Sequence, residues 1–344
     1  MSLSVISLNA RGLRNNVKRK AIFLFCKQFN SDFCFIQESH STEQEKIFWR
    51  SQWGDDLWMS HGTEHAAGVC ILKGRFNGKI LNSDIDKDGH YIFLIVEAAH
   101  SIYILVNVYG FNCQRENKLY FDRLEERLLR WLSKYPNSFI IFGGDFNTVF
   151  NSYLDRWPSR SSDSNSFIRL FAQRFNLVDS WRDSHSSQIA YTWCNKTQTR
   201  HSRIDFWLIS KDLEKVKTDI YPTPLSDHKM VSLSIPLSSS LITKTSYWKL
   251  NSTILEHKEV ICEVQRFIKL YWSKALTDNT FCSNWELLKY EIGKFFRKYS
   301  SDLAKKRRSD ETQVIQKITC LTSKPIGTLR ESDKIKLVDL QHKL

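Results

Sequence analysis

The stretch FGGDFNTVF, residues 142–150, places an acid and an amide two positions apart, directly behind a pair of glycines. The apolar residues that lead into it, SFIIFGG at 138–144, predict a buried strand that ends at the glycines. Because Gly, Asp and Asn tolerate tight or left-handed backbone, a simple turn would explain Asp145 and Asn147. A functional site at the end of this strand is the alternative, and features elsewhere in the sequence distinguish the two.

The chain up to about residue 236 alternates strand-like and helix-like segments. Residues 115–136 predict an amphipathic helix, because Phe121, Leu124 and Leu128 recur at helical spacing and a proline closes the segment. Further helices are predicted at 17–29 and 164–179, and short β-rich runs predict strands at 3–9, 33–39, 66–74, 91–98, 102–110, 138–144, 202–210 and 230–235. Strands in close succession, mixed with helical crossovers, favour an α/β fold with two packed sheets flanked by helices.

The composition changes after Pro236. Residues 237–246, LSSSLITKTS, are typical of a linker, and residues 237–344 carry 20 Lys and Arg against 12 Asp and Glu, a net charge of +8. We therefore divide the chain into a domain at 1–236 and a basic helical extension at 237–344 with a KKRR cluster at 305–308. The charges of the extension either contact phosphates or face solvent on a helical spacer. On a spacer, an apolar stripe would pack on the domain or on a further domain; the stripe comprises Trp285, Leu288, Ile292 and Phe295.

The overall composition indicates a globular protein with an affinity for polyanions. The 344 residues are 42% apolar, enough for a sizeable core, and 50 Lys and Arg against 37 Asp and Glu give a net charge of +13. Nucleic acid is favoured over membrane, because the most apolar stretch, at 91–111, is interrupted by Glu97 and His100. Eight cysteines without a Cys-x-x-Cys pair argue against a zinc ribbon or a disulfide framework. With no secretory signal pattern in its first residues, the chain is expected in the nucleus or cytosol.

More polar residues stand at the ends of the predicted strands: Asn9, Glu38, Tyr109, Asp205, and Asp227 with His228. Each alone has a structural explanation, as a turn former, a helix-cap neighbour, a rim aromatic, a salt-bridge partner or a loop imidazole. Their repeated placement nevertheless predicts a site at one rim of the sheets, because rigid strands deliver catalytic groups to the loops that follow them.

These residue types suit the hydrolysis of a phosphodiester. Glu38, Asp145, Asn147 and Asp227 are oxygen donors of the kind that Mg²⁺ or Mn²⁺ prefers, and such an ion would neutralise the charge that develops on the phosphate. His228 would need a carboxylate to orient its ring, and Asp205 is the candidate. The sequence shows no serine or cysteine nucleophile elbow and no Walker loop that would favour another chemistry.

Six motifs occur in the order SLNARGL, IQESH, NVYG, GGDFN, SRIDFWL and LSDHKMV. In this order they resemble the endonuclease/exonuclease/phosphatase superfamily, which includes exonuclease III-like apurinic endonucleases and DNase I. The resemblance covers residues 1 to about 236. It implies a four-layer α/β sandwich of the DNase I type and a Mg²⁺-dependent phosphodiesterase.

The resemblance also implies roles for individual residues. Glu38 would hold the Mg²⁺ with Asn9 beside it, and Tyr109 would contact the scissile phosphate. Asp145 would act as a proton donor or base, and Asn147 would stabilise the transition state.

For the last two motifs the resemblance implies that Asp205 orients His228, and that Asp227 and His228 complete the pocket. The full metal set it implies is Asn9, Glu38, Asp145, Asn147, Asp227 and His228. The DNA-contacting set is Arg11, Tyr109, Thr192, Arg203 and His228.

Within the superfamily, NARGL, YTWCN and SRIDFWLIS resemble the endonuclease domain of long interspersed non-long-terminal-repeat retrotransposons. The segment YWKLNSTIL at 247–255 resembles the linker that precedes their reverse transcriptase. This resemblance implies a DNA endonuclease that nicks a target strand and leaves 3′-hydroxyl and 5′-phosphate ends. Its expected partners are DNA and a downstream reverse transcriptase domain.

Two other functions stay open. An exonuclease III-like apurinic endonuclease or 3′-exonuclease is one, although such enzymes usually carry an acid two residues after the first asparagine, where this chain has Arg11. That departure weakens the case for abasic-site repair and for a second metal at this position. A catalytically inactive nucleic-acid-binding fragment, acting through the basic extension, is the other. Lipid or inositol phosphatases share the chemistry, but the charge of +13 counts against them.

Overall fold

The computed structural model describes residues 2–159, 166–223, 226–237, 250–278, 281–322 and 330–343. In chain order its strands are β1 Ser2–Asn9, β2 Phe33–Gln37, β3 Leu57–Ser60, β4 Val69–Lys73, β5 Lys79–Ile85, β6 Tyr91–Ala98, β7 Ser101–Tyr109, β8 Phe139–Asp145, β9 Arg156–Trp157, β10 Leu177–Asp179, β11 Trp193–Cys194, β12 His201–Ser202, β13 Asp205–Ser210, β14 Lys217–Tyr221 and β15 Met230–Pro236. Its α-helices are α1 Asn16–Gln28, α2 Lys46–Trp53, α3 Gln114–Lys134, α4 Phe167–Arg174, α5 Ser180–Ser184, α6 Lys258–Asp278, α7 Phe281–Thr322 and α8 Glu331–Lys343, with short 3₁₀ helices at Glu43–Glu45 and Ser252–Glu256.

Two six-stranded sheets form the body of the domain. The first sheet has the order β14-β15-β1-β2-β4-β3, and the second has the order β10-β13-β8-β7-β6-β5. Both are mixed sheets: β1 and β2 run parallel in the first, β7 and β8 run parallel in the second, and their other pairs are antiparallel. The parallel pairs at the centre bring the ends of β1, β2, β7 and β8 to one edge of the sandwich. A small three-stranded sheet, β11-β12-β9, is separate.

The layers follow from strands that are apolar on both faces, as expected where both faces of a sheet are covered. In β1, Leu3 and Val5 enter a core shared by the two sheets, whereas Ile6 and Leu8 pack in the core that contains the buried faces of α1 and α2. In the second sheet Phe142 points to the core formed with α3 and α4. The result is a helix–sheet–sheet–helix sandwich, which confirms the predicted four-layer α/β fold.

Three parts of the predicted element pattern differ from the structure. The helix predicted at 164–179 ends at Arg174, and residues Leu177–Asp179 instead pair with β13 as an edge strand. The edge strands β3, β5 and β14, the two-residue strands β9, β11 and β12, and the helices α2 and α5 were not predicted. β5 and β14 have few buried residues and so lack the continuous apolar pattern of the central strands, and β3 has only four residues.

The chain separates into two compact units, Met1–Ser240 together with Lys317–Leu344, and Leu241–Gln316. In the second unit α6 and α7 share a small apolar core centred on Ile254, Val260 and Phe296. Two residues of the predicted apolar stripe, Ile292 and Phe295, pack against this core. The predicted linker lies outside the described residues from position 238 onward, and the boundary at 236 stays a prediction. None of the described helices is long and apolar enough to cross a membrane.

The site-bearing strand β8 needs glycine at position 143, because a Cβ there would overlap the ring of Trp207, its buried partner on β13. We expect Gly143→Ala to lower the free energy of unfolding by about 1–3 kcal/mol, the usual cost of overpacking a filled core. Urea denaturation measures the change. Gly293→Ala, whose Cβ would meet only the flexible end of Arg297 in α7, is the control and should stabilise its helix by up to about 1 kcal/mol. Equal stability of the two variants would contradict this account.

Candidate active site

The edge where the central strands end carries a hydrogen-bonded group of polar side chains that joins the two sheets. Asn9, at the end of β1, donates from Nδ2 to Glu38 Oε1 at 2.9 Å and to Asp145 Oδ2 at 2.8 Å. Its Oδ1 accepts from the backbone N–H of Arg11 at 3.0 Å, which fixes the orientation of the amide. Glu38 belongs to the first sheet and Asp145 to the second, so Asn9 links two carboxylates across the sandwich.

Tyr109, at the end of β7 in the second sheet, reaches Glu38 of the first sheet. Its hydroxyl donates to Glu38 Oε1 at 3.1 Å. Burial, and then the carboxylates of Glu38 and Asp145, raise the pKa of Tyr109 far above its usual value, so the phenol stays a neutral hydrogen-bond donor. His90 stacks on the Tyr109 ring at 5.5 Å and bonds its carbonyl through Nδ1 at 2.7 Å, which holds the ring in place.

The Asp145–Asn147 loop is more than a turn. The Asp145 side chain is only 1% exposed, and its Oδ1 accepts from the backbone N–H of Asn147 at 2.9 Å. Asn147 has a left-handed backbone with φ of 48° and donates from Nδ2 to Gly110 O at 2.8 Å. The loop therefore buries a carboxylate at the sheet edge and presents the partly exposed amide of Asn147 beside it.

His228 and Asp205 form a buried pair next to Asp145. His228 Nδ1 lies 2.9 Å from Asp205 Oδ2, and its Nε2 lies 3.9 Å from Asp145 Oδ2. Burial alone would lower the pKa of His228, but the carboxylates of Asp205, Asp145 and Asp227 outweigh it and raise that pKa from 6.5 to about 10. The imidazole is therefore protonated at neutral pH, with Asp205 fixing the ring.

Asp145 is a buried acid whose pKa is raised mainly by its burial. Burial, and then the negative charge of Asp205, raise its pKa from 3.8 to about 7, while His228, Asn9 and the Asn147 backbone N–H lower it. A carboxyl group with a pKa near neutrality can both take and return a proton at physiological pH. Asp145 is thus the group of this edge best suited to proton transfer.

The carboxylates at this edge suit a hard divalent cation, which takes oxygen ligands and keeps several waters. Asp145, Asp205 and His228 bring possible ligand atoms within 4.8 Å of one another. Because Nδ1 of His228 is bonded to Asp205, Nε2 is the ring atom that faces Asp145, and the three side chains form one hydrogen-bonded group. Glu38, whose side chain is 23% exposed and which accepts bonds from Asn9 and Tyr109, offers an accessible carboxylate next to them.

Arg11 and Asp227 form an ion pair at the mouth of the site. Arg11 Nη1 lies 3.0 Å from Asp227 Oδ2, with side-chain exposures of 50% and 29%. Asp227 Oδ1 is buried and has no hydrogen-bond partner among the described residues. Lys18, from α1, donates to the Arg11 carbonyl at 2.8 Å and adds a second cation to this side of the site. Nothing in the sequence of α1 had indicated Lys18.

The loops after β1 and β2 are held together beyond the ends of the strands. The backbone N–H groups of Ala10, Gly12 and Leu13 donate to the carbonyls of Gln37, Glu38 and Ser39 at 2.7 to 3.0 Å. Left-handed backbone recurs here at four non-glycine positions, Arg11, Glu38, His40 and Asn147, with φ between 48° and 52°. Such conformations cost energy and persist only where the surrounding contacts hold them.

Two of the predicted DNA contacts are wrong, because the structure places both side chains in the interior. Arg203 has no exposed surface and binds Asp155 through Nε and Nη2 at 2.9 and 2.8 Å and Asp179 through Nη2 at 2.5 Å. Thr192 is also buried, and its Oγ1 accepts from the backbone N–H groups of Ile204 and Asp205. Both residues therefore support the loop that positions Asp205.

A pocket that the sequence had not indicated opens beside Asn147, with a volume of about 550 Å³. Its lining combines polar, cationic and aromatic side chains, among them Trp157, Trp193 and Arg200. Trp157 is 45% exposed. Exposed aromatic rings together with cations are features of surfaces that hold nucleotides.

Residues 6–228 match the model of the Endonuclease/Exonuclease/phosphatase family. The chain is 26% identical over 318 residues to the Transposon TX1 uncharacterized 149 kDa protein of Xenopus laevis, an alignment that covers 90% of this chain and 24% of the relative. The chain thus spans about a quarter of the length of that relative.

Solved structures share the fold. The AP endonuclease LMAP from Leishmania major superposes with a TM-score of 0.56 at 19% identity, covering 68% of this chain and 87% of that one. The 3′ phosphatase NExo from Neisseria, bound to a product DNA hairpin, gives a TM-score of 0.56 at 17% identity, covering 68% and 99%. At these identities the likeness establishes the fold alone.

The raised pKa of His228 predicts how stability depends on pH. A group whose pKa is higher in the folded state stabilises the fold below its unfolded pKa, near 6.5, and the effect is lost as pH rises through about 10. Between pH 7.5 and 9.5, without divalent ions, this group makes the wild-type free energy of unfolding fall by up to about 1.4 kcal/mol per pH unit. We expect a shallower fall in Asp205→Asn, measured by urea denaturation. The exposed-carboxylate control Asp212→Asn should follow the wild type, and parallel curves for all three proteins would contradict the assignment.

Proposed function

The chain belongs to the endonuclease/exonuclease/phosphatase family, and we propose that it is a Mg²⁺-dependent DNA endonuclease. The observation that carries the proposal is the cross-sheet group at the strand ends. In this group Asp145, whose pKa is about 7, lies 3.9 Å from Nε2 of the protonated His228 ring. Asn9 donates hydrogen bonds to both Asp145 and Glu38 and so holds the two carboxyl groups together. A proton acceptor (Asp145), a cation (His228) and an accessible metal ligand (Glu38) therefore lie together at this edge.

In the proposed reaction, water attacks the phosphorus and the bond to O3′ breaks, which leaves a 3′-hydroxyl and a 5′-phosphate. Asp145 accepts the proton of the attacking water, and the departing O3′ takes a proton from solvent water, so that the net reaction adds one water across the P–O3′ bond. His228, held by Asp205, and the amide of Asn147 stabilise the charge on the non-bridging oxygens. Tyr109, a neutral donor, contacts the same phosphate.

A divalent cation at this edge would neutralise the charge that develops on the phosphate. Glu38 would hold it, because its carboxylate is accessible and already fixed by Asn9 and Tyr109. The remaining ligands of such an ion would be waters and phosphate oxygens, as is usual for Mg²⁺.

DNA as the substrate is supported by the net charge of +13 and by the aromatic and cationic pocket beside Asn147. The similarity to a transposon protein supports a role as the target-nicking part of a retrotransposon polyprotein, with a reverse transcriptase as the covalent partner and the nucleus as the compartment. Of the predicted DNA contacts, Arg11 is half exposed at the mouth of the site, and we keep it in the proposal, whereas the interior residues Thr192 and Arg203 are removed from it.

Mutations at the edge should separate catalysis from stability. His228→Asn and Asn147→Ala should each reduce the nicking of supercoiled plasmid by at least about a hundredfold, the scale for losing a transition-state donor. Thermal unfolding serves as the check on folding. His100→Asn, in the exposed left-handed turn between β6 and β7, is the matched control and should nick like the wild type. Near wild-type nicking by His228→Asn would remove this residue from the mechanism.

The metal requirement is a separate prediction. Mg²⁺ or Mn²⁺ should support nicking and EDTA should abolish it, because the donors at the edge are carboxylate oxygens. Glu38→Gln should raise the Mg²⁺ concentration needed for half-maximal nicking by about tenfold or more. Full activity after exhaustive chelation, or activity restored by Zn²⁺ alone, would refute the assignment.

The ends that the reaction leaves distinguish a nicking enzyme from a repair enzyme. We expect nicks in intact plasmid DNA to prime a DNA polymerase directly, since a 3′-hydroxyl needs no repair. A duplex oligonucleotide with a single tetrahydrofuran abasic site tests the alternative in the same assay. Cleavage restricted to the abasic position, with intact plasmid untouched, would favour the apurinic endonuclease.

A further inference from the structure

Arg11 is the residue of the active-site edge whose placement the reaction above does not fully use. It follows β1, has a left-handed backbone with φ of 50°, and is fixed by its N–H bond to Asn9 Oδ1. The next residue, Gly12, donates to the carbonyl of Glu38 at 2.7 Å. The backbone of Arg11 is therefore held at a set distance from Glu38, and its long side chain reaches across to Asp227.

Asp227 is the carboxylate that pairs with Arg11. One oxygen of this carboxylate accepts from Arg11 Nη1 at 3.0 Å, and the other is buried without a partner among the residues described. The loop that carries Asp227 is fixed as well, because Ser226 Oγ donates to Asn9 O at 2.7 Å. A carboxylate fixed at the rim of the site thus carries a guanidinium on one oxygen, and its other oxygen has no partner among the described residues.

We infer that Arg11 is a built-in cation that neutralises Asp227, so that the edge binds a single divalent ion on the Glu38 side. This inference rests on the phosphodiesterase function proposed above. A guanidinium repels a divalent ion at short range and satisfies the carboxylate that would attract one. It also brings a positive charge to the scissile phosphate without depending on the metal concentration. Arg11 is accordingly a positioning residue that sets the number of ions.

The test counts bound Mn²⁺ by electron paramagnetic resonance in the full chain without DNA, a measurement independent of turnover. The wild type and Arg11→Lys should bind one ion. Arg11→Asp frees Asp227 and adds a carboxylate at the same place, so it should bind two; Asp tolerates the left-handed backbone well. Arg14→Asp introduces the same charge three residues further along, where the partner is the exposed Glu64, and should stay at one ion.

A wild type that binds two ions would overturn the inference, as would Arg11→Asp that binds one, or an equal gain in Arg14→Asp. Arg11→Gln covers the case in which Arg11→Asp does not fold. It removes the repulsion without adding an acid and should lower the Kd for Mn²⁺ by about threefold or more; an unchanged Kd would reject the inference. Plasmid nicking by the wild type, run in parallel, tests the proposed function separately, because a protein that binds one ion and does not nick would fail only that proposal.

Discussion

The burial of two carboxylates at the open end of an apolar sandwich is the constraint on which the edge of this structure depends. Asp145 and Asp205 are each 1% exposed, and a buried charge without a partner costs several kcal/mol. Asn9 and His228 supply the hydrogen bonds and the positive charge that make this burial tolerable. Since each partner comes from the opposite sheet, the geometry of the site depends directly on how the two sheets pack.

A second buried charge supports the first from behind. Arg203 binds Asp155 and Asp179, and its guanidinium lies 5.3 Å from the centroid of the Trp181 ring; Arg203 and Asp155 have no exposed surface. Removing one member of such a pair is strongly destabilising because it leaves the other charge buried without a partner. The cluster anchors the chain two residues before Asp205, so the orientation of the His228 ring depends on a salt bridge that lies in the interior.

The sequence could predict what is local and could not predict what joins distant segments. The central strands are apolar on both faces, so their limits and the polar residues at their ends were visible, and the motif order led to the four-layer fold. The edge strands β5 and β14 carry few buried residues and gave no such pattern. The partners of Arg203 lie 48 and 24 residues away in the chain, and only the fold reveals that its charge is satisfied internally. Its position inside a motif had suggested a DNA contact instead.

The site combines two ion pairs of different character, and this difference bears on how it can respond to DNA. The His228–Asp205 pair is almost fully buried, so salt screens it little. The Arg11–Asp227 pair is partly exposed, and pairs of this kind contribute little stability in water. Because a guanidinium has five donors, Arg11 could contact a phosphate of the proposed DNA substrate while it stays bonded to Asp227, whereas His228 would meet that phosphate as a fixed donor. Adjustment to the substrate falls to the rim, while the buried pair keeps its geometry.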